Sequence, residues 1–485
     1  MADIDITLQD LQGMFPKHFT EEQVSCAKTV FLKQLALRMH RFYRGKMITV
    51  PKAGVYGFNW FNVWYTPGVS KVSTTIREDN SASFDLSNRG NLIGVVSDST
   101  RVLGDGDCTP PGGLGVMEGK AFLMKYLGGV DATALCINNR DAQGNPDPDK
   151  IIDFVKMAEP SFGGINLEDI SQPNCFKVLD TLREECNIPV WHDDAQGTGC
   201  VTVAGLLGAL EVVGKKIEDV RMMFIGAGAS NTTIARLIIQ AGGDPKKMVM
   251  FDSRGSLSTD RNDIRQDPRY YRKWELCGKT NPEKLATHEE AVRGADVLIA
   301  VSRPGPGLIP QEWIRSMATD PIVFACANPV PEIYPYKARE AGAAIVATGR
   351  GDFPNQVNNS LGFPGILKGA LLVKSRAITD NMAVAAARSL ARFAGRKGLS
   401  PEYIIPTMDE ADVFPEEAAD VAMQAIEDGV AREEKSREQL LEEARKDITE
   451  SRDLVHMLME EGVIRQPPGE LLEEALKVAI EEVDG

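Results

Sequence analysis

Four acidic residues in two short segments have types and spacing that could form a metal site. Glu168 and Asp169 lie in GGINLEDIS, and Asp193 and Asp194 lie in VWHDDAQGTG. Carboxylates that converge on one point repel one another unless a cation neutralises them, and oxygen-only ligand sets favour Mg²⁺ or Mn²⁺ over Zn²⁺. The two acidic pairs therefore predict a divalent metal site, although such segments taken alone more often form surface turns or helix caps. Because adjacent residues in a strand point to opposite faces, each pair is expected to divide its roles.

A glycine-containing turn follows these acids in the segment FIGAGASN. Gly226 allows a tight turn after a buried strand, and Gly228 lets the backbone approach a pyrophosphate at a helix N-terminus. Asn231 stands where the fingerprint has Gly or Ala, so a tight turn without a ligand remains the alternative. The predicted cofactor-binding residues are Gly226, Gly228, Ala229, Ser230, Asn231, Asp252 and Ser253.

The choice between NAD and NADP depends on the end of the next apolar run. Asp252 could accept hydrogen bonds from both ribose hydroxyls and would repel a 2′-phosphate, which favours NAD. Arg254 could instead pair with that phosphate, so NADP remains an alternative.

Alternating strand and helix patterns predict an α/β fold. Short apolar runs predict strands at 90–96 and 132–137, and later runs, each ending in a loop, predict successive parallel strands in VRMMFIGAG, KMVMFDS, ADVLIAVS, PIVFACANP and AAIVATG. We therefore expect an N-terminal α/β substrate domain over 1–195 and a doubly wound Rossmann-type dinucleotide domain over 196–370. Helices at 371–432 are expected to return to the N-terminal domain, and 433–485 to form a charged helical extension with a solvated face.

Composition limits the classes of partner and the compartment. A net charge of −15 disfavours nucleic acid and anionic membranes, and no run approaches the length of a transmembrane helix. The eight cysteines form no CxxC pair, which argues against a zinc site or a disulfide framework. The acidic N-terminus does not resemble a signal peptide. We expect a cytoplasmic homodimer or higher homo-oligomer that acts on a small molecule.

A series of motifs runs in order through residues 40–432: WYTPGV, GNLIGVVSD, VMEGKAFL, FGGINLEDIS, HDDAQGTG, GAGAS, FDSRG, ANPVPEI and FPNQVNNSLGFPG. Through these motifs the chain resembles the malic enzyme family, in its compact prokaryotic form. The resemblance implies Tyr65 as general acid, Lys120 as general base and Asp193 as the supporting carboxylate of both. It implies Glu168, Asp169 and Asp194 as metal ligands. Substrate or nicotinamide would contact Asn328 and Asn359, and the substrate carboxylate would contact Arg101.

The implied reaction is metal-dependent oxidative decarboxylation of malate, or a close 2-hydroxy acid, to pyruvate and CO₂ with reduction of NAD(P). Lys120 would need a lowered pKa to accept the hydroxyl proton, which burial and a nearby cation could provide. The loop at 104–115 departs from the family pattern, with Asp105, Cys108, Thr109 and two prolines in place of mostly apolar residues. Two alternatives therefore stay open: a malolactic-type lyase that retains NAD, and a nucleotide- or organic-acid-binding protein without malate turnover.

Overall fold

The computed structural model describes residues 5–484, apart from 104 and 329. The chain forms two compact units, one of residues 5–50 together with 452–484 and one of residues 51–451. The strands are β1 (Leu92–Ser97), β2 (Asp131–Cys136), β3 (Gly164–Leu167), β4 (Val190–His192), β5 (Met222–Ile225), β6 (Met248–Asp252), β7 (Gly255–Ser256), β8 (Val297–Ala300), β9 (Ile322–Ala325) and β10 (Ile345–Thr348).

The helices are named in chain order. They are α1 (Glu21–Tyr43), α2 (Phe61–Trp64), α3 (Val69–Glu78), α4 (Ser83–Leu86), α5 (Thr109–Gly112), α6 (Leu114–Gly128), α7 (Pro148–Ala158), α8 (Asn174–Glu185), α9 (Thr198–Val213), α10 (Ala229–Gln240), α11 (Asn262–Arg265), α12 (Tyr271–Lys279), α13 (His288–Val292), α14 (Gln311–Ser316), α15 (Pro335–Glu340), α16 (Phe363–Leu372), α17 (Asp380–Lys397), α18 (Val413–Glu427), α19 (Arg437–Glu460) and α20 (Gly469–Asp484).

The smaller unit is built on the packing of α1 against α20. Helix α1 begins with a capping box at Thr20, whose side chain accepts a hydrogen bond from the Gln23 backbone. Apolar side chains at helical spacing on both helices form its core, including Phe31, Leu35 and Leu472.

The first sheet of the larger unit brings the two acidic segments together. Its four parallel strands follow the order β2-β1-β3-β4. In the register of β3 and β4, Leu167 lies opposite His192, so Glu168 and Asp193 follow the ends of neighbouring strands. Because the carboxyl ends of parallel strands share one edge of the sheet, this topology delivers both acidic pairs to one place.

The second sheet confirms the predicted doubly wound architecture. Its order is β10-β9-β8-β5-β6-β7, parallel throughout except for the short antiparallel β7 at the edge. The chain passes from β6 back across β5 to β8, so the strand order reverses beside β5. Gly226 follows β5, and dinucleotides bind at such a reversal point in open α/β sheets.

The acids at 193 and 194 lie in a helical turn, which corrects the expectation that each acidic pair belongs to one strand. Strand β4 ends at His192, and Asp193–Gly197 forms a single π-helical turn that leads directly into α9. Contrary to the expectation that no run approaches transmembrane length, Asp193–Val213 is the one helical stretch of the described residues with the length and composition to cross a membrane. The most apolar part of this stretch is 72% buried inside the protein, where α9 packs against α10 and α17, as a core helix does.

The charged helix α19 is partly buried, which limits the expected solvated face to one side. Leu440, Ala444 and Ile448 recur at helical spacing and are buried. The Asp447 carboxylate pairs with Lys368 of α16, and the Ser451 hydroxyl donates to the backbone carbonyl of Lys125 at 2.8 Å. The first part of α19 therefore packs against the C-terminal end of α6.

Candidate active site

Three carboxylates lie together at the carboxyl edge of the first sheet. One oxygen from each of Glu168, Asp169 and Asp194 lies within 4.8 Å of the others. The backbone N–H of Asp169 donates to Asp194 Oδ2 at 2.7 Å, which ties the two acidic segments to each other. Asp169 has a left-handed backbone conformation with φ of 53°, which turns the chain sharply after β3. The structure thus brings together the three residues expected to bind the metal.

The electrostatics of this cluster fit a divalent cation. Burial and repulsion from Asp194 raise the pKa of Glu168 well above its ordinary value, and the same two causes raise the pKa of Asp169 to about 7. The Oδ2 atom of Asp169 is buried without a hydrogen-bond partner among the described residues. An unpaired buried carboxylate oxygen beside two further carboxylates is a ligand set that Mg²⁺ or Mn²⁺ would satisfy.

Lys120 stands between the metal-site acids and Asp193. It lies on α6 with its side chain 10% exposed, and its ammonium forms ion pairs with Asp193 and, at 3.1 Å, with Glu168 Oε1. The ammonium also lies 4.5 Å from the centre of the Phe363 ring, within cation–π distance. Burial opposes the charged form, but attraction to the surrounding carboxylates is larger and raises the pKa of Lys120. The protein groups alone therefore do not lower the pKa of Lys120, and the lowering expected from the sequence would need the nearby cation.

Two residues that sequence reasoning missed hold these carboxylates in place. The Asn166 amide donates to Glu168 Oε2 at 2.9 Å, and the Trp191 indole N–H donates to Asp193 Oδ1 at 3.1 Å. Each stands two residues before the acid that it holds, near the end of the strand that leads to that acid. This spacing of two residues is the feature of the sequence that could have identified Asn166 and Trp191.

His192, which stands between Trp191 and Asp193, is buried, and neither of its ring nitrogens forms a hydrogen bond in the described chain, in keeping with a structural role.

The residues expected to bind substrate differ in their distance from the cluster. The backbone N–H of Arg101 donates to the Asp169 carbonyl at 3.0 Å, while its side chain is exposed. Asn359 borders the Asp193 turn, because a Cβ at Gly197 would overlap Asp193 Oδ1 and lie 3.3 Å from the Asn359 Cβ. Tyr65 is 72% exposed, and no hydrogen bond in the described chain joins its hydroxyl to Lys120 or to the acids.

The loop at 104–115, which departs from the family pattern, begins beside the acidic cluster and is held further along by an ion pair at the surface. Residue 104 lies outside the described residues. Just before it, the Leu103 N–H approaches Asp169 Oδ1 at 3.4 Å. Asp107 pairs with Arg140 at 2.9 Å, and Thr109 begins α5 with φ of 62°. The loop therefore begins next to Asp169, and its approach to substrate stays a prediction.

The glycine turn after β5 contacts the turn at Asp193–Gly197 directly. The Gly226 N–H donates to the Phe251 carbonyl at 2.8 Å, and Gly226 has φ of 95°, which glycine adopts without strain. The Ser230 hydroxyl, in the first turn of α10, donates to the Asp194 carbonyl at 3.0 Å. The Asn231 amide donates to the carbonyls of Ile225 and Gly226 at 2.8 and 2.9 Å. The Asn231 side chain thus bridges two backbone carbonyls of the turn, which explains how Asn can replace the usual small residue.

Glu332, which sequence reasoning also missed, joins the loops after β8 and β9. One of its carboxylate oxygens accepts hydrogen bonds from the backbone N–H and hydroxyl of Ser302, at 3.0 and 3.2 Å, and the other accepts from the Ala327 N–H at 3.0 Å. Glu332 is fully buried. Asn328, expected to contact the ligand, is the exposed residue next to Ala327. Glu332 therefore positions the loop that carries Asn328.

Comparison with known proteins gives this site its family. The family model described as "Malic enzyme, N-terminal domain" matches residues 58–183, and "Malic enzyme, NAD binding domain" matches residues 195–428. The bifunctional malic/malolactic enzyme of Bacillus subtilis is 42% identical over 86% of this chain and 98% of that protein. The NADP-dependent malic enzyme of Halomonas elongata is 39% identical over 76% of this chain and 87% of that protein. The crystal structure of Entamoeba histolytica malic enzyme covers 100% of both chains at 60% identity, with a TM-score of 0.97.

The chain belongs to the malic enzyme family. Its activity is accordingly oxidative decarboxylation of malate, with NAD or NADP as the oxidant and a divalent metal as cofactor. The α/β fold and the family resemblance expected from the motifs are both confirmed.

The first prediction tests Glu332. In Glu332→Gln, one side-chain oxygen becomes an NH₂ group, which would face the N–H of Ser302 or of Ala327, a donor against a donor. We expect the dissociation constant of the dinucleotide, followed by fluorescence titration, to rise by about tenfold, and Mn²⁺ binding to stay unchanged. Glu340→Gln, an exposed residue of α15, is the control. Unaltered dinucleotide affinity in Glu332→Gln would show that these loops hold their positions without the carboxylate.

Proposed function

We propose that malate is oxidised between Lys120 and the three-carboxylate metal site, with Lys120 as general base. The observation that carries this proposal is the Lys120 ammonium, buried among Asp193, Glu168 and the Phe363 ring beside the cluster of acids. A base of this kind must lie within hydrogen-bond reach of the substrate hydroxyl and be shielded from water. The segment up to residue 195 would hold substrate, and residues 196–370 would hold the dinucleotide.

Oxidation of malate removes a proton from the C2 hydroxyl oxygen and a hydride from C2 itself. Lys120, in its neutral form, accepts the proton of the C2 hydroxyl, and Asp193 stabilises the ammonium that results. A nicotinamide, which the turn at Gly226 and the loop at Asn328 would position, would supply the acceptor for the hydride. A divalent cation held by Glu168, Asp169 and Asp194 would polarise the substrate oxygens and offset the carboxylate charge that keeps Lys120 protonated.

Decarboxylation leaves an enolate, and we propose Tyr65 as the acid that protonates it. Tyr65 lies in an exposed aromatic segment, residues 56–65, in which Phe58 is 91% exposed and Trp64 is 46% exposed. Exposed apolar patches of this kind mark interaction surfaces, and an acid in such a reaction needs a site closed to water. We therefore propose a homo-oligomer in which a second copy covers this segment. Free cysteines throughout the described chain accord with a cytoplasmic location.

A malolactic-type reaction is the second candidate. The observation that favours it is the B. subtilis relative, whose name assigns it both malic and malolactic activity. Incubation with malate, Mn²⁺ and either NAD⁺ or NADP⁺ distinguishes the two reactions. Oxidative decarboxylation releases pyruvate with one reduced cofactor for each CO₂, whereas the malolactic reaction releases lactate and CO₂ without free reduced cofactor.

The second prediction concerns the metal ligands. We expect Asp194→Asn to weaken Mn²⁺ binding by at least the roughly 10–100-fold that loss of an outer-sphere partner costs, because a direct anionic ligand is removed. Free Mn²⁺ is measured by electron paramagnetic resonance, and Asp149→Asn, at a surface ion pair with Lys177, serves as control. Wild-type Mn²⁺ affinity in Asp194→Asn would remove Asp194 from the ligand set.

The third prediction separates the two proposed proton-transfer groups. Lys120→Ala removes the acceptor of the hydroxyl proton, so we expect the rate of cofactor reduction by malate to fall by about 100-fold or more. Tyr65→Phe keeps that acceptor, so hydride transfer to and from a keto acid should survive better than tritium exchange into pyruvate, which reports enolate protonation.

Matched controls for these variants come from the same elements. Lys125→Ala alters another lysine of α6, one paired with Asp131 at the helix end, and Tyr56→Phe removes another exposed phenol of the aromatic segment. Equal loss of both partial reactions in Tyr65→Phe would contradict a role confined to the enolate.

A further inference from the structure

The carboxylate expected to recognise the cofactor ribose already has protein partners on both oxygens. Asp252 Oδ1 accepts from Arg261 Nη1 and from the Arg254 backbone N–H, both at 2.9 Å. Asp252 Oδ2 accepts from Arg261 Nη2 at 2.9 Å and faces Lys273 Nζ at 3.7 Å. An ionised carboxylate has about four acceptor positions, and here three are filled while the fourth faces an ammonium group. Two ribose hydroxyls would find little left to donate to.

The surroundings of Asp252 carry a net positive charge. Among the described residues, ion pairs connect the cations Arg254, Arg261 and Lys273 with two carboxylates, those of Asp252 and Asp263. Although burial raises it, hydrogen bonds from Arg261 and the Arg254 backbone lower the pKa of Asp252, so the carboxylate is charged and fully balanced. The repulsion that an unpaired Asp252 would exert on a phosphate is therefore cancelled by its partners.

The three cations differ in the donors they have left. Arg261 directs its guanidinium to Asp252, Asp263 and the carbonyls of Gly255 and Ser256, which occupies its N–H groups. Lys273, with its side chain 13% exposed, has Asp252 at 3.7 Å as its ion-pair partner, beyond hydrogen-bond length. Arg254 is 73% exposed and contacts Asp263 through Nη1 at 3.2 Å. Lys273 and Arg254 thus retain donors for a ligand, whereas Arg261 serves to anchor Asp252.

These groups lie beside the dinucleotide turn. Asp252 directly follows Phe251, whose carbonyl accepts from the Gly226 N–H. In a dinucleotide domain the residues that follow this strand meet the 2′ position of the adenosine ribose. We propose that this position binds a 2′-phosphate, held by Lys273 and Arg254, so that the chain prefers NADP over NAD. The proposal reverses the preference that Asp252 alone indicates, and it rests on the proposed function only in placing the dinucleotide at the Gly226 turn.

The test uses binding of adenosine fragments, so its result is independent of malate turnover. Isothermal titration of the full chain with 2′,5′-ADP and with 5′-AMP measures the contribution of the 2′-phosphate alone. We expect wild type to bind 2′,5′-ADP at least about tenfold more tightly, as charge-assisted hydrogen bonds to a phosphate provide. Lys273→Gln and Arg254→Gln should each reduce that ratio and leave the 5′-AMP affinity unchanged. Lys279→Gln, an exposed lysine of α12 paired with Glu275, should keep the wild-type ratio.

Each alternative result has a defined meaning. Equal binding of the two fragments, or a preference for 5′-AMP, by wild type overturns the proposal. Parallel loss of both fragments in Lys273→Gln, with Arg254→Gln unaltered, also overturns it, because a structural defect affects both ligands alike. A clear preference for 2′,5′-ADP in a chain that fails to oxidise malate would support this inference and contradict the proposed reaction.

Discussion

Electrostatic repulsion among four carboxylates is the constraint on which the rest of the site depends. Glu168, Asp169, Asp193 and Asp194 follow the ends of two adjacent strands, and all but Asp194 are fully buried. Ionised groups in such a place are costly unless cations and hydrogen bonds compensate them. Lys120 supplies the one buried cation that the described chain places among them, which leaves a negative excess for a divalent metal. The proposed base and the proposed metal site are thus two parts of one charge balance.

Helices of the larger unit hold Lys120 in place beside the mutually repelling carboxylates. Helix α6, which carries Lys120, is fixed at its far end by the Ser451 hydroxyl of α19 on the Lys125 carbonyl. Asp447 of α19 also pairs with the buried Lys368 of α16. Through these contacts the charged helix α19 supports the two helices that carry Lys120 and Phe363. It keeps α6 and α16 in place, and both helices reach the site, α6 through Lys120 and α16 through Phe363.

Local patterns predicted the strands and the acids but could not predict the partners of charged groups. The runs around Gly226 and Asp252 have the apolar content of buried strands, and β5 and β6 form there. The Lys120 pKa depends on carboxylates of other elements, which motif spacing does not reveal. Arg261 reaches Asp252 only because the chain folds back after β7, and Lys273 approaches from α12. Such pairs are tertiary, and they determine whether a carboxylate is free to bind a ligand.

The metal site and the dinucleotide site are mechanically one structure. The turn at Asp193–Gly197 runs into α9, and its Asp194 carbonyl accepts the Ser230 hydroxyl from the first turn of α10. A shift of the glycine turn would therefore displace the segment that carries Asp194, a proposed metal ligand. Hydride transfer requires donor carbon and nicotinamide in near contact, where small displacements are costly. The hydrogen bond from Ser230 to the Asp194 carbonyl, together with the packing of α9 against α10, would link the position of a bound dinucleotide to that of the proposed metal ligands.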